Sequence, residues 1–254
     1  MAIGFIGTGN MGSPMALNLI KAGYAVIAFD RSDKALEPIK AVNGVIASSL
    51  QELARMAETV ITMLPTGDDV RKVYENEDGV IGSVADNTLL IDCSTIDVEN
   101  AQIVARKASV RGLQMVDAPV SGGVTGAEAG TLTFMVGGSS EALERSRPLL
   151  ATMGQNIVHA GKSGSGQAAK LCNNMMLGIS MIATSEAFTL GQKLGLDPKT
   201  LFKIISTASG SCWAMQNHLP IPGIVENAAS NADFKAGFAV AMMAKDLRLA
   251  ELAA

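Results

Sequence analysis

The chain has 254 residues, of which 48% are hydrophobic and 17% are charged, a balance that can bury a sizeable core and argues against disorder. A formal net charge of -4, with no run rich in Lys or Arg, argues against nucleic-acid binding. Three scattered cysteines without metal-ligand spacing, no signal sequence and no apolar run of membrane length predict a soluble, cytoplasmic protein without a metal centre.

The N-terminus has the order strand, glycine-rich turn, helix, strand. We predict the first strand over residues 2–6, the helix over residues 13–22 and the second strand over residues 24–29. The turn between strand and helix matches the pattern G-x-G-x-x-G and consists of Gly7, Thr8, Gly9, Asn10, Met11 and Gly12. In this context the glycines allow a tight turn, close approach of the backbone to a pyrophosphate, and close packing of helix on strand. The sequence therefore predicts a dinucleotide site.

The end of the second strand bears on the choice of dinucleotide. Asp30 lies eighteen residues after Gly12, where an acidic side chain accepts hydrogen bonds from the adenosine ribose. This position favours NAD. Arg31 and Ser32 follow directly and are suited to a 2′-phosphate, so NADP stays possible.

Further strand–helix units follow the first two strands. We predict strands over residues 45–47, 60–64, 88–92, 113–117, 131–136 and 156–159. Ligands of parallel sheets bind at the carboxyl ends of the strands. Leu64 and Pro65 are therefore candidate cofactor contacts. Ser94 and Thr95 are suited either to the nicotinamide ribose or substrate, or to capping the next helix.

A second glycine-rich segment follows the strand that ends at Asp117. Successive amides of Ser121, Gly122 and Gly123 can form a nest for a carboxylate, although an ordinary loop has the same composition. We predict that the segment continues as a loop over residues 124–130.

The pattern changes near residue 161, beyond which no strand pattern is found. We predict helices over residues 167–194, 198–206 and 238–252. The expected fold is α/β, with a Rossmann-like, doubly wound, mostly parallel sheet over residues 1–160 that binds NAD. An all-helical domain for catalysis and oligomerisation follows over residues 161–254.

Lys170 and Asn174 lie four residues apart on the first of these helices and so share one face. The helix is apolar all round, which predicts that it is buried, and a buried lysine is a candidate for proton transfer. A nicotinamide enzyme needs a group that takes the hydroxyl proton. No Tyr-x-x-x-Lys pair is present, and His159 and His218 have no evident supporting carboxylate. We therefore expect Lys170, with its pKa lowered by desolvation, to be the acid/base and Asn174 to orient the substrate.

Four segments together resemble the β-hydroxyacid dehydrogenase family: residues 4–16, 117–123, 161–174 and 243–247. Residues 209–213 are also typical of its hydroxyisobutyrate branch. The resemblance implies NAD-dependent oxidation of 3-hydroxyisobutyrate, or a similar 3-hydroxy acid, to the semialdehyde. It also implies a homodimer or homotetramer. Family members continue past the helix at residues 243–247, so we expect either that the C-terminal domain is truncated or that this member is short.

The resemblance assigns roles to individual residues. Lys170 is the catalytic acid/base, and Asn174 assists it. Substrate contacts are expected from Ser121, Gly122, Gly123, Trp213 and Phe238. Cofactor contacts are expected from the glycine-rich turn at residues 7–12 and from Asp30, Arg31, Leu64, Pro65, Asp69, Thr95, Lys245 and Asp246. Periodicity alone places Trp213 in the core.

Three other functions stay open. The chain could reduce tartronate, glyoxylate or succinate semialdehyde, or it could oxidise L-serine. From a different class, it could be an interaction protein that binds NAD without catalysis. The presence of Lys170 and Asn174 argues against that last function, because a scaffold has no need of them.

Overall fold

The computed structural model describes residues 1–76, 78–235 and 237–254. The strands are β1 (Ala2–Ile6), β2 (Ala25–Phe29), β3 (Val45–Ile46), β4 (Thr59–Thr62), β5 (Leu89–Asp92), β6 (Gln114–Asp117), β7 (Val120–Ser121), β8 (Leu132–Gly137) and β9 (Gly154–Gly161). The first eight helices are α1 (Gly12–Lys21), α2 (Asp33–Lys40), α3 (Leu50–Met56), α4 (Gly67–Glu75), α5 (Val80–Ser83), α6 (Val98–Val110), α7 (Gly123–Ala129) and α8 (Ser140–Met153). The others are α9 (Ser165–Lys193), α10 (Pro198–Ser206), α11 (Trp213–His218), a 3₁₀ helix (Ala229–Ala232) and α12 (Val240–Ala253).

The strands form one sheet in the order β3-β2-β1-β4-β5-β6-β8-β7, with β9 paired to β8. Strands β1 to β6 run parallel, whereas β8 runs antiparallel to β6 and β7. The chain order changes direction at β1, which lies between β2 and β4, and ligands of such sheets bind at this point. The structure therefore confirms the predicted doubly wound, mostly parallel sheet followed by a helical C-terminal domain.

Both faces of the sheet are covered, so successive side chains of a strand pack into different cores. Leu89 and Ile91 belong to one hydrophobic cluster, and Leu90 belongs to the other. This arrangement explains why the strands are continuous apolar runs rather than alternating patterns.

The chain forms two compact units, Met1–Lys170 and Leu171–Leu252, with the last two residues divided between them. The units part within α9, whereas the boundary predicted near residue 161 falls between β9 and α9. Among the described helices, none combines the length and the apolar character that crossing a membrane requires.

The segment predicted as a loop after Ser121 is partly helical, and that prediction was wrong. Helix α7 begins after Gly122, whose φ is +132°, and ends before Gly130 in the left-handed region. Its small residues gave no apolar periodicity. They fit here because Gly126 packs close to the Leu132 side chain.

Helix α9 is not buried all round, contrary to its sequence pattern. Its buried positions include the polar Asn174 and Thr184, whereas Met176, Ile179 and Ile182 on other faces are 58–69% exposed. The described chain covers only one stripe of this helix. A uniformly apolar sequence does not reveal which stripe that is.

Candidate active site

The glycine-rich turn between β1 and α1 has the geometry of a phosphate-binding turn. Gly7 has a φ of +90°, and a Cβ on Gly12 would collide with the Gly7 carbonyl oxygen. A Cβ on Gly9, in contrast, would have no atom within 4 Å. Helix α1 begins with Met11 as its N-cap and without a side-chain cap, which leaves its start open to an anion, although the Ser13 N–H already donates to the Gly9 carbonyl oxygen at 2.9 Å.

Asp30 links this turn to the end of β2. Its Oδ2 accepts a hydrogen bond from the Thr8 N–H at 2.8 Å, and its Oδ1 accepts one from the Ser32 N–H at 2.8 Å. Each carboxylate oxygen keeps a lone pair for a ribose hydroxyl. Within the described residues, the buried hydroxyl of Thr8 makes no hydrogen bond. The Thr8 hydroxyl thus lacks a hydrogen-bond partner next to the uncrowded Gly9 and to the start of α1, which has no side-chain cap. This arrangement fits a bound dinucleotide.

Arg31 and Asp69, two of the residues expected to contact cofactor, are brought together. The guanidinium of Arg31 lies 3.5 Å from Asp69 Oδ1, and its side chain is 79% exposed. Thr66 caps α4 and donates its hydroxyl to Asp69 Oδ2 at 2.7 Å.

The turns after β4 and β5 are tied together through Ser94. Its hydroxyl accepts a hydrogen bond from the Leu64 N–H at 2.8 Å and donates one to Asp92 Oδ1 at 2.6 Å. The structure thus joins the Leu64–Pro65 and Ser94–Thr95 turns, both predicted to contact ligand. Ser94 itself is fully buried.

Asp92 lies beneath these turns and was not predicted from the sequence. Its Oδ1 also accepts a hydrogen bond from the Thr62 hydroxyl at 2.7 Å, while Oδ2 has no hydrogen bond within the described residues. Burial raises the pKa of Asp92 to about 6, although the hydrogen bonds from Ser94 and Thr62 act in the opposite direction. The nearby charge of Asp117 adds to the increase.

The start of α9 is held by Asp117, at the end of β6. Asp117 Oδ1 accepts a hydrogen bond from the Gly164 N–H at 2.7 Å, and Oδ2 accepts one from the Gln167 N–H at 3.1 Å. Burial raises the pKa of Asp117 despite these backbone hydrogen bonds. A Cβ on Gly166 would collide with Met135 O, so glycine permits the close approach.

Lys170 and Asn174 follow on α9, one turn apart, and are 8% and 1% exposed. In the C-terminal unit, Asn174 Nδ2 donates a hydrogen bond to Asp246 Oδ2, and the Lys245 ammonium lies 3.1 Å from Asp246 Oδ1. Sequence reasoning without the family resemblance gave no indication of Lys245 or Asp246. Their spacing from Asn174 is too long for any local pattern.

The remaining predicted substrate residues lie at accessible positions. Ser121 is half-buried at the end of β7, and Gly122 and Gly123 are exposed. Trp213 and Phe238 are 56% and 47% exposed, so the placement of Trp213 in the core was wrong.

The two histidines make structural contacts. The Trp213 ring meets the His218 ring edge-on, with centroids 4.9 Å apart. His159 Nε2 lies 2.9 Å from the Gly138 carbonyl oxygen.

Two family models match the chain. Residues 2–161 match the NAD-binding domain of 6-phosphogluconate dehydrogenase, and residues 164–254 match the NAD-binding domain of NADP-dependent 3-hydroxyisobutyrate dehydrogenase. An NAD-dependent L-serine dehydrogenase of Pseudomonas aeruginosa is 48% identical, over 99% of this chain and 85% of the relative. A 3-hydroxyisobutyrate dehydrogenase of the same species is 49% identical, over 98% of this chain and 83% of that relative.

A solved structure of Mycobacterium tuberculosis 3-hydroxyisobutyrate dehydrogenase with L-serine superimposes with a TM-score of 0.93 at 48% identity, covering 99% of this chain and 86% of that one. The chain therefore belongs to the β-hydroxyacid dehydrogenase family, whose members are nicotinamide-dependent oxidoreductases that act on CH–OH groups. The prediction that it binds NAD(P) is confirmed.

Proposed function

We propose that the chain oxidises a small 3-hydroxy acid, with 3-hydroxyisobutyrate as the first candidate, to its semialdehyde. The observation that carries this proposal is the burial of Lys170 and Asn174 one turn apart on α9. Lysine side chains are rarely buried, and a buried lysine beside a buried carboxamide is a candidate for proton transfer. The bound nicotinamide supplies the hydride acceptor.

Each proposed role follows from side-chain chemistry. Lys170, as the neutral amine, accepts the proton of the substrate hydroxyl in oxidation, and as the ammonium it returns a proton in reduction. Asn174 orients the hydroxyl. The amides of Ser121, Gly122 and Gly123 bind the carboxylate.

We propose NAD as the preferred cofactor, held by the domain of residues 1–160. The residues that would hold it are the turn at residues 7–12, Asp30, Leu64, Pro65, Asp69 and Thr95, with Lys245 and Asp246 from the domain of residues 161–254. The Asp30 carboxylate suits ribose hydroxyls and repels a 2′-phosphate. Arg31, whose guanidinium lies 3.5 Å from Asp69 Oδ1, is a further proposed cofactor contact.

L-serine is the second candidate substrate. One relative is named as an L-serine dehydrogenase, and the M. tuberculosis structure contains L-serine. L-serine and 3-hydroxyisobutyrate share the carboxylate and the 3-hydroxyl and differ at C2, where one carries an ammonium and the other a methyl group. Trp213 and Phe238, proposed as substrate contacts, are suited to the methyl group.

The test is turnover with NAD on a panel of 3-hydroxyisobutyrate and L-serine, followed as NADH absorbance. Reduction of tartronate semialdehyde, glyoxylate and succinate semialdehyde with NADH is measured in parallel, and NADP replaces NAD in a second series. We expect the highest kcat/KM with 3-hydroxyisobutyrate and NAD. Binding of NAD without turnover of any of these compounds would contradict the proposed substrates and favour the non-catalytic alternative.

We also propose that the protein is a homodimer or homotetramer in the cytoplasm. Support for assembly comes from the exposed apolar side chains of α9, and support for a reducing compartment comes from the free thiols of Cys93, Cys172 and Cys212. Light scattering coupled to size-exclusion chromatography measures the oligomeric state, and cell fractionation tests the cytoplasmic location. A monomer at micromolar concentration would contradict the proposed assembly.

A further inference from the structure

We propose that Gln167 is a positioning residue that fixes Lys170 relative to the turn at Ser94, Thr95 and Ile96. This inference rests on the proposed function of Lys170 as acid/base. Gln167 itself takes no part in proton or hydride transfer.

The carboxamide of Gln167 is paired at both ends with the backbone of that turn. Its Oε1 accepts a hydrogen bond from the Ile96 N–H at 3.1 Å, and its Nε2 donates one to the Ser94 carbonyl oxygen at 2.8 Å. The two backbone groups lie on either side of Thr95. A two-point contact of this kind restricts both sliding and rotation of the helix against the turn.

The turn that Gln167 holds is itself fixed. The Ser94 hydroxyl bonds to the Leu64 N–H and to Asp92 within the buried end of β5. Gln167 is 0% exposed, so water does not compete for its two hydrogen bonds. A continuous set of hydrogen bonds therefore runs from the ends of β4 and β5 to the first turn of α9.

A second contact prevents the helix start from pivoting about Gln167. The Asp117 carboxylate, at the end of β6, accepts hydrogen bonds from the N–H groups of Gly164 and Gln167 at 2.7 and 3.1 Å. The first turn of α9 is thus fastened to β5 through a side chain and to β6 through its backbone.

Lys170 lies three residues after Gln167, so the two side chains share a face of the helix. The backbone of this turn is rigid, and any shift of Gln167 moves Lys170 with it. Effective proton transfer requires the donor and acceptor to be held within a fraction of an ångström. Loss of the Gln167 contacts should therefore slow the chemical step more than it weakens binding.

The test variant is Gln167→Met, which keeps the length of the side chain and removes both hydrogen bonds. We expect kcat to fall by up to about a hundredfold, as for a misplaced catalytic group. NAD affinity should stay nearly unchanged, and the primary isotope effect on kcat, with substrate deuterated at C3, should increase. The matched control is Ser146→Ala, which removes a buried hydrogen bond to the Leu143 carbonyl oxygen in α8. It should lower the melting temperature and leave kcat and the isotope effect unchanged.

A second variant, Gln167→Glu, tests the donor alone. Its carboxylate can accept from Ile96 but cannot donate to Ser94, whereas the protonated acid can do both. The pKa of a buried glutamic acid is raised, so kcat of this variant should recover relative to the parent protein as the pH falls. If Gln167→Met loses only stability and Gln167→Glu follows the parent pH profile, Gln167 has a merely structural role and the inference is wrong.

Failure of the proposed function is a separate outcome. If the unaltered chain turns over no substrate, acetic anhydride labelling followed by mass spectrometry still reports the position of Lys170. Labelling of Lys170 should be faster in Gln167→Met than in the parent chain, with Lys193 at the far end of α9 as the internal reference. Equal labelling rates would overturn the inference.

Discussion

The side-chain amide of Asn174 donates a hydrogen bond to Asp246 across a distance of 2.5 Å, and both residues are at most 2% exposed. Because the amide nitrogen faces Asp246, the Asn174 carbonyl oxygen faces away from it. That oxygen accepts a hydrogen bond from Asn173 Nδ2 at 3.0 Å and keeps a lone pair for a substrate hydroxyl. The hydrogen bond to Asp246 thus fixes the orientation of the Asn174 amide, so that its oxygen rather than its nitrogen is available to the substrate.

Asp246→Ala should therefore reduce both activity and stability. It leaves the Asn174 amide buried with an unsatisfied donor, which costs about 1–3 kcal/mol of unfolding free energy. We expect kcat to fall because the amide can rotate. Glu251→Ala, an exposed change on the same helix, is the control and should alter neither quantity. An unchanged kcat in Asp246→Ala would show that the orientation of Asn174 does not matter to catalysis.

Lys170→Ala should abolish most turnover while NAD still binds. Removal of a general acid/base lowers kcat by roughly 10²–10⁴-fold. Isothermal titration with NAD should give nearly the parent affinity, since this group acts in the transition state. Lys193→Ala, at the exposed end of α9, is the matched control and should keep full activity. A Lys170→Ala protein that keeps its rate would exclude the lysine as the base.

Asp30→Ala should weaken the preference for NAD over NADP. The change removes acceptors for the ribose hydroxyls and a negative charge that repels a 2′-phosphate, an effect of roughly tenfold to a hundredfold on the ratio of kcat/KM values. Asp33→Ala, which removes an exposed acid three residues further on, should leave the ratio unchanged. If Asp30→Ala also leaves it unchanged, Arg31 or Ser32 governs the choice of cofactor.

Asp92→Asn should become more stable relative to the parent protein as the pH rises. The pKa of Asp92 is about 6 in the fold against an ordinary value of 3.8, so between these values the folded chain holds a proton that the unfolded chain has lost. Stability from the protonated acid is present below about pH 4 and is lost as the pH rises to about 6. Asparagine cannot ionise, so the variant avoids a loss of up to about 3 kcal/mol.

Urea unfolding of Asp92→Asn and the parent protein at several pH values between 4 and 7.5 measures this difference. Any constant offset from the new amide group is independent of pH, so the slope is the diagnostic quantity. Asp68→Asn, an exposed change at the start of α4, should give a curve parallel to that of the parent. Parallel curves for Asp92→Asn as well would mean that the buried carboxyl does not titrate as inferred.

Much of the sheet follows from local sequence, because strands covered on both faces are uninterrupted apolar runs. The helices that sequence analysis missed include α2 and α7. Only Leu36 and Ile39 are buried in α2, which also contains Pro38, and α7 consists of small residues. Such helices form because neighbouring elements cover them, and this information is not local.

The residues of the candidate site also fall into those that local sequence predicts and those that it does not. Lys170 and Asn174 are recognisable because helical spacing brings them together. Gln167 and Asp117 are not, because their partners are backbone groups 47 to 73 positions away in the chain. The only local sign of such a contact is a polar residue one turn before a candidate catalytic lysine, and this sign is too common to be specific.

The contact between Gly12 and the Gly7 carbonyl also limits how the enzyme can be redesigned. Any side chain at Gly12 would push α1 away from β1 before it could affect the bound nucleotide. Substitution of Gly12 is therefore not a usable route to a different coenzyme, either in protein engineering or in evolution. Retargeting is better started from Arg31 and Ser32, the exposed residues that follow β2, where a larger or differently charged side chain has room.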